Sequence, residues 1–240
     1  TAQRLGANEF SIVTSGRGIR RERELEKLCR AVELLKDETE LEPCASLGIL
    51  GEEQMRCLKE AGLYRLHHNL ETARSFFPWI CTTHDYEEDV ASIRAAKGLG
   101  FKVCSGGIFG MGEGPEERVE LALTLRELQV DSVPLNFLNP IPGTPLEGRF
   151  ELTPLECLKI IALYRLSLPD KDIFVCGGRE VNLRQLQPLI FPAGANGTLI
   201  GNYLTTPGRP PEQDLEMIED LGLEVRAAKK VLTLGKNNLD

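Results

Sequence analysis

A single parallel α/β barrel is the fold class this sequence predicts, on three observations. Short apolar runs alternate with amphipathic stretches along the whole chain, the pattern of strands each followed by a helix. The units are similar in length and no linker separates them, which favours a closed barrel over an open sheet. The 240 residues suit one such barrel and suffice to bury a full core.

Taken in order, residues 1–5, ending at Gly6, read as the tail of a helix. Strands are expected at 9–14, 41–45, 64–68, 101–104, 132–137, 173–176 and 198–201, each a short apolar run bounded by turn residues. Helices are expected between them, at 22–35, 53–61, 86–98, 115–128 and 154–167. Gly62, Gly98 and Gly100 stand where helices should stop, and Thr153–Pro154 reads as an N-cap followed by proline at the first helical position. Seven strands rather than eight place a first strand and most of its helix upstream of Thr1. Residues 211–221 and 224–234 read as two closing helices, and 1–240 as one domain.

The net charge of −8 argues against a general partner for nucleic acid or for an anionic membrane. No apolar run approaches the length of a membrane span, and the first ten residues are not a signal peptide, so a cytoplasmic chain is expected. Seven cysteines, an odd number with no small-scaffold spacing, then read as core thiols, catalytic thiols or metal ligands.

Cys29, Cys57 and Cys157 lie at apolar helical positions and read as small hydrophobes; Cys81 stands in a loop. Cys44, Cys104 and Cys176 differ, because each closes a strand and is followed by small residues. Equivalent positions on barrel strands converge at the C-terminal strand ends, so these thiols are expected to meet although 60 and then 72 residues separate them. No C-x-x-C spacing supports a zinc ribbon, and converging thiolates suit an iron–sulfur cluster. Three unrelated core thiols are the plain alternative. The stretch FKVCSGGIFGMGEG packs Gly106, Gly107, Gly110, Gly112 and Gly114 behind Cys104, more glycine than a turn needs, and reads as built around a ligand.

With these positions located, the surrounding blocks resemble the biotin synthase family of radical S-adenosylmethionine (SAM) enzymes. The resemblance rests on LHHNLET, CTTHDY, KVCSGGIFGMGE, DSVPLNFLNPIPGTPLEG, GGREVNLRQLQPL and GNYLTTPG, and covers nearly the whole chain. It implies a radical-SAM TIM-type (β/α)8 barrel that inserts sulfur into dethiobiotin through a 5′-deoxyadenosyl radical. A 4Fe–4S cluster cleaves SAM in this family, held by a C-x-x-x-C-x-x-C motif expected upstream of this chain. Glu71, where the family usually has Asp, would bind the ribose hydroxyls. Gly106, Gly107, Ile108 and Gly110 would lie against the adenosine. Asn69 and Asn136 would hold the ureido ring of dethiobiotin, beside His67 where relatives carry Asn. A flavodoxin- or ferredoxin-type electron donor and a homodimer are further implications.

The sequence departs from the family at the auxiliary cluster. Its usual 2Fe–2S site has three cysteines and one arginine. Cys44 and Cys104 match two of the cysteines, but Ser11 stands at the third cysteine position and Phe174 at the arginine position, while Cys176 is new. Strand period places 174 and 176 on one face, so Cys176 reaches the same space. Three thiolates facing an open iron suit a 4Fe auxiliary cluster with an exchangeable site for sulfide; the alternative is an ordinary 2Fe–2S cluster with Ser11 or another group, such as Cys81, as fourth ligand. The competing readings are another radical-SAM barrel enzyme, of the hydrogenase-maturation or methylornithine-forming kind, and a degenerate, non-catalytic barrel.

Overall fold

The computed structural model describes residues 1–226 apart from Thr205. Eight strands, β1 (Glu9–Val13), β2 (Glu42–Ser46), β3 (Arg65–His67), β4 (Lys102–Cys104), β5 (Gly107–Phe109), β6 (Ser132–Phe137), β7 (Asp172–Val175) and β8 (Gly197–Thr198), form one sheet. Its order is β1-β2-β3-β4-β6-β7-β8, with β5 also on β6, and every pairing is parallel. β4 and β5 continue one another, parted only by Ser105 and Gly106. Among the described residues β1 and β8 do not pair, so the sheet is an arc open at that side rather than a closed barrel.

The helices α1 (Glu22–Glu38), α2 (Glu52–Ala61), α3 (Phe77–Ile80), α4 (Tyr86–Gly98), α5 (Pro115–Glu127), α6 (Pro154–Ser167), α7 (Arg179–Leu183), α8 (Ile190–Ala193) and α9 (Pro211–Asp220) complete the chain. Local chemistry sets their ends. Thr153 caps α6, its Oγ1 accepting from Glu156 N at 3.3 Å while Glu156 Oε2 accepts from Thr153 N at 2.8 Å. Gly62 stops α2 in the left-handed region at φ 103°, where residues with a Cβ are strained. The expected opening helix is a short 3-10 turn, Ala2–Leu5. The expected strand at 198–201 shrinks to the two residues of β8, which among the described residues has β7 alone as partner. The second closing helix, expected over 224–234, has only residues 224–226 among those described, and they are not helical.

Side-chain alternation divides the sheet into two faces. Ala45, Leu66, Val103, Val133, Leu135, Ile173 and Val175 pack outward in one core with Val32, Leu58, Ile93, Leu121, Leu125, Ile161 and Tyr164 of the helices. The alternate positions, 44, 65, 67, 104, 132, 136 and 174, carry thiols, charges and amides on the concave face. The apolar layer behind the sheet holds the fold, which leaves the concave face for chemistry.

Candidate active site

Register sets the concave face row by row. Ser11, Cys44, Arg65 and Lys102 are lateral neighbours across β1 to β4, and His67, Cys104, Ser132 and Asp172 form the next row across β3 to β7. Cys44 is fully buried and Cys104 is 1 % exposed. Cys176, just past β7, is held by its backbone N–H to Leu135 O at 2.9 Å. A charge on Cys104 would act on both Cys44 and Cys176. None of the seven thiols is in a disulfide. Burial raises all three thiols, Cys104 to about 12 despite hydrogen bonding to Ser132. They hold their protons tightly unless a metal displaces them. Three free thiols on one concave face, two buried and one half-buried, fit a soft, thiophilic group such as an iron–sulfur cluster.

Charged groups surround them. Cys44 Sγ donates to Glu9 Oε2 at 3.1 Å, and Glu9 Oε1 accepts from Arg65 Nη2 at 2.8 Å. Arg65 also donates to Ser132 Oγ. His67 brings its ring to within 4.8 Å of ligand atoms of Glu9 and Cys44. Its Nε2 is buried without a partner, and burial, with Arg65 nearby, lowers it to about 4, so the ring is neutral at pH 7. Phe174 lies over Gly197, where a Cβ would come within 2.1 Å of the ring, so the small residue on β8 makes room for the phenyl group.

The asparagines have backbone work. Asn69 Oδ1 accepts from Gly106 N at 3.2 Å; Asn136 Oδ1 accepts from Gly177 N at 3.0 Å while its Nδ2 donates to Gly107 O at 3.3 Å. Each amide keeps a further lone pair and a further N–H for a ligand. Ile108 is the register neighbour of Asn136, so its side chain shares the concave face. Glu71 has φ 61°, its carbonyl accepts from Ile108 N at 2.8 Å, and its Oε2 is buried without a partner. Burial raises its carboxyl to about 7.

The glycines have a specific geometry. A Cβ on Gly106 would stand 2.0 Å from Pro134 O, and one on Gly107 would stand 2.5 Å from Glu71 O. Both therefore let β5 close against β6 and against the segment after β3. Gly110 and Gly112 have φ of 94° and 118°. Glu113 locks their turn, accepting from Gly110 N at 2.8 Å, Met111 N at 2.8 Å and Arg118 Nε at 3.0 Å.

Cys81 stands apart from the three thiols, its Sγ 3.3 Å from His84 Nδ1, while His84 Nε2 and His68 Nε2 share Asp89 at 3.0 and 2.9 Å. Glu9, Arg65 and Ser132 were not expected at the site from sequence. Arg65 has the same parity as His67 and Asn69 along one strand, and that signal places it on the concave face.

The radical SAM superfamily model matches residues 2–125, and the Biotin and Thiamin Synthesis associated domain matches 134–224. The chain is 65% identical to a biotin synthase of Geobacter sulfurreducens over 221 residues, covering 92% of this chain and 67% of that protein. It is 60% identical to one of Geotalea uraniireducens over 222 residues, covering 92% and 68%. Among solved structures, methylornithine synthase (PylB) superposes with a TM-score of 0.77 at 23% identity, covering 93% of this chain and 69% of that one. The FeFe-hydrogenase maturase HydG of Carboxydothermus hydrogenoformans gives 0.73 at 14%, covering 92% and 56%. These two share the fold, and the sequence relatives decide the family. The chain belongs to the biotin synthases of the radical SAM superfamily.

Proposed function

We propose that this chain inserts sulfur into dethiobiotin to make biotin, with an auxiliary iron–sulfur cluster held by Cys44, Cys104 and Cys176. The carrying observation is the shared concave face: the buried thiols of Cys44 on β2 and Cys104 on β4, with the half-buried Cys176 at the end of β7. The iron–sulfur groups supply SAM cleavage and the transferred sulfur when bound. The chain's own residues bind and orient. Asn69 and Asn136, fixed by Gly106, Gly107 and Gly177, offer their remaining amide valences to the ureido ring. The neutral His67 adds a donor or acceptor beside them. Glu71 accepts the ribose hydroxyls of SAM, and Ile108 packs on its adenine.

Only three thiolates are available, Ser11 and Phe174 being poor or impossible iron ligands. That donor set supports a 4Fe cluster with one iron open to an external sulfide over a 2Fe–2S rhomb, which needs four ligands. A small reducing protein of flavodoxin or ferredoxin type supplies electrons, the enzyme is a cytoplasmic homodimer, and no helix among the described residues is long and apolar enough to cross a membrane.

The test is biotin formation by the full protein, purified anaerobically, with iron and sulfide quantitation and Mössbauer spectroscopy. Cys176→Ala should abolish the auxiliary component and biotin formation while SAM cleavage persists. An unchanged iron and sulfide content would remove Cys176 from the ligand set, and a pure 2Fe–2S auxiliary signal would overturn the 4Fe assignment.

A further inference from the structure

Arg65 is a buried cation beside the thiols. It is 4 % exposed, on the concave face of β3 beside Cys44 in register. Its guanidinium reaches across the sheet to Ser132 on β6, the register partner of Cys104. Its central carbon lies 5.9 Å from the Phe174 ring centroid on β7 and 5.6 Å from that of Tyr64. Its Nε is buried and makes no hydrogen bond. A guanidinium thus occupies the space beside position 174, delivered from β3.

Burying such a charge is costly without anions to pair it. Its carboxylate partner is Glu9, which holds the Cys44 thiol with one oxygen and Arg65 with the other. A single carboxylate balances Arg65 only while the thiols are protonated. When metal displaces those protons, Cys44 and Cys104 become thiolates beside Glu9, and the anions outnumber the cation. The other buried arginine nearby, Arg179, is committed to Asp214 at 2.8 Å. Lys102, next in the row, is half exposed and bonded to Asp131 at 3.0 Å.

We propose that Arg65 is the positioning cation of the auxiliary cluster site, balancing the charge of the cluster and its thiolates, with Glu9 as its counterweight. The inference rests on the reading that Cys44, Cys104 and Cys176 hold that cluster. Reduction adds an electron to an anionic group, so a neighbouring cation favours the reduced state and a neighbouring carboxylate the oxidised state. The two residues therefore act on the reduction potential with opposite signs. A pair serving only to brace β1 against β3 has no such signature.

The experiment uses the full protein, reconstituted anaerobically, with redox titration of the auxiliary cluster followed by electron paramagnetic resonance. The SAM-cleaving cluster serves as an internal reference. Arg65→Met should lower the auxiliary midpoint and Glu9→Gln should raise it, with the reference unmoved. Should Arg65→Met lose auxiliary iron and sulfide altogether, retention by Arg65→Lys supports the charge role, and equal loss in both variants overturns it. Shifts of the same sign, or none, overturn the inference while leaving the three-thiol reading intact. A wild-type protein with no second cluster overturns that reading, and this inference with it.

Discussion

At the scale of single residues, Glu71 combines two unusual features: a left-handed backbone without being glycine, and a carboxyl pushed up to about 7 by burial. Such strain persists where the surroundings over-determine it, and here Ile108 N and the bridge to Gly107 pin the carbonyl. The raised value has a defined consequence for stability. Between about 4.5, the ordinary value, and about 7, the unfolded chain has lost a proton that the folded chain keeps. The folded state binds more protons there, so stability falls as pH rises through this window. Thermal melts of the ligand-free protein from pH 5 to 8 should show this fall, and Glu71→Gln should remove Glu71's share of it. If Glu71 accepts ribose hydroxyls, these donors favour the charged carboxylate, so wild type should bind SAM more tightly at pH 8 than at pH 6. Parallel pH profiles in wild type and Glu71→Gln would dismiss both statements.

At the scale of elements, the strands were legible because each is an apolar run closed by small or turn residues, as in FKVCSGG. The three strand-end cysteines were legible for the same reason, since a parallel sheet brings equivalent positions together. What the sequence hid was polar. Nothing in the local sequence marks Glu9 or Arg65 as site residues; the parallel register of β1, β2 and β3 sets them on either side of Cys44. The stretch RQLQPLIFPA was also opaque: Pro188 lies inside a 3-10 segment, and no helical period runs long enough to be seen. The glycines needed coordinates, because sequence cannot say what a missing Cβ would touch. At Gly107 it would meet Glu71 O at 2.5 Å and Leu121 Cδ2 at 2.9 Å, whereas at Gly98, the last residue of α4, it would meet nothing within 4 Å. Gly107→Ala should therefore cost about 1–3 kcal/mol or more, as overpacking does. Gly98→Ala should be neutral or stabilise by up to about 1 kcal/mol, from helix propensity. Equal denaturation midpoints for the two variants would refute this reading of the glycine-rich turn.

At the scale of the whole molecule, the arc is open on one side, so elements beyond β7 depend on side-chain ties more than on strand pairing. The strongest tie joins α7 to α9. Arg179 Nη2 meets Asp214 Oδ2 at 2.8 Å with the side chains 1 % and 0 % exposed, and Arg209 approaches the other carboxylate oxygen at 3.5 Å. Tyr203 reinforces the arrangement by donating to Glu180, the neighbour of Arg179. Because both charges are out of water, the pair itself contributes little net stability, but breaking it strands an ion in the interior. Asp214→Ala leaves the buried Arg179 with only a long 3.5 Å approach to Glu180 and should cost about 3–5 kcal/mol. For a chain of this size that lowers the melting temperature by roughly 6–20 °C. The double change Arg179→Met with Asp214→Leu removes both charges, keeps similar volume and should recover most of the loss. A double variant as unstable as Asp214→Ala would mean that α9 is held by packing around Met217 rather than by the ion pair. The contrast with Arg65 follows from the same physics. Arg179 pairs with Asp214, a carboxylate that otherwise meets only another arginine, and serves the fold, whereas the carboxylate of Arg65 is shared with a thiol.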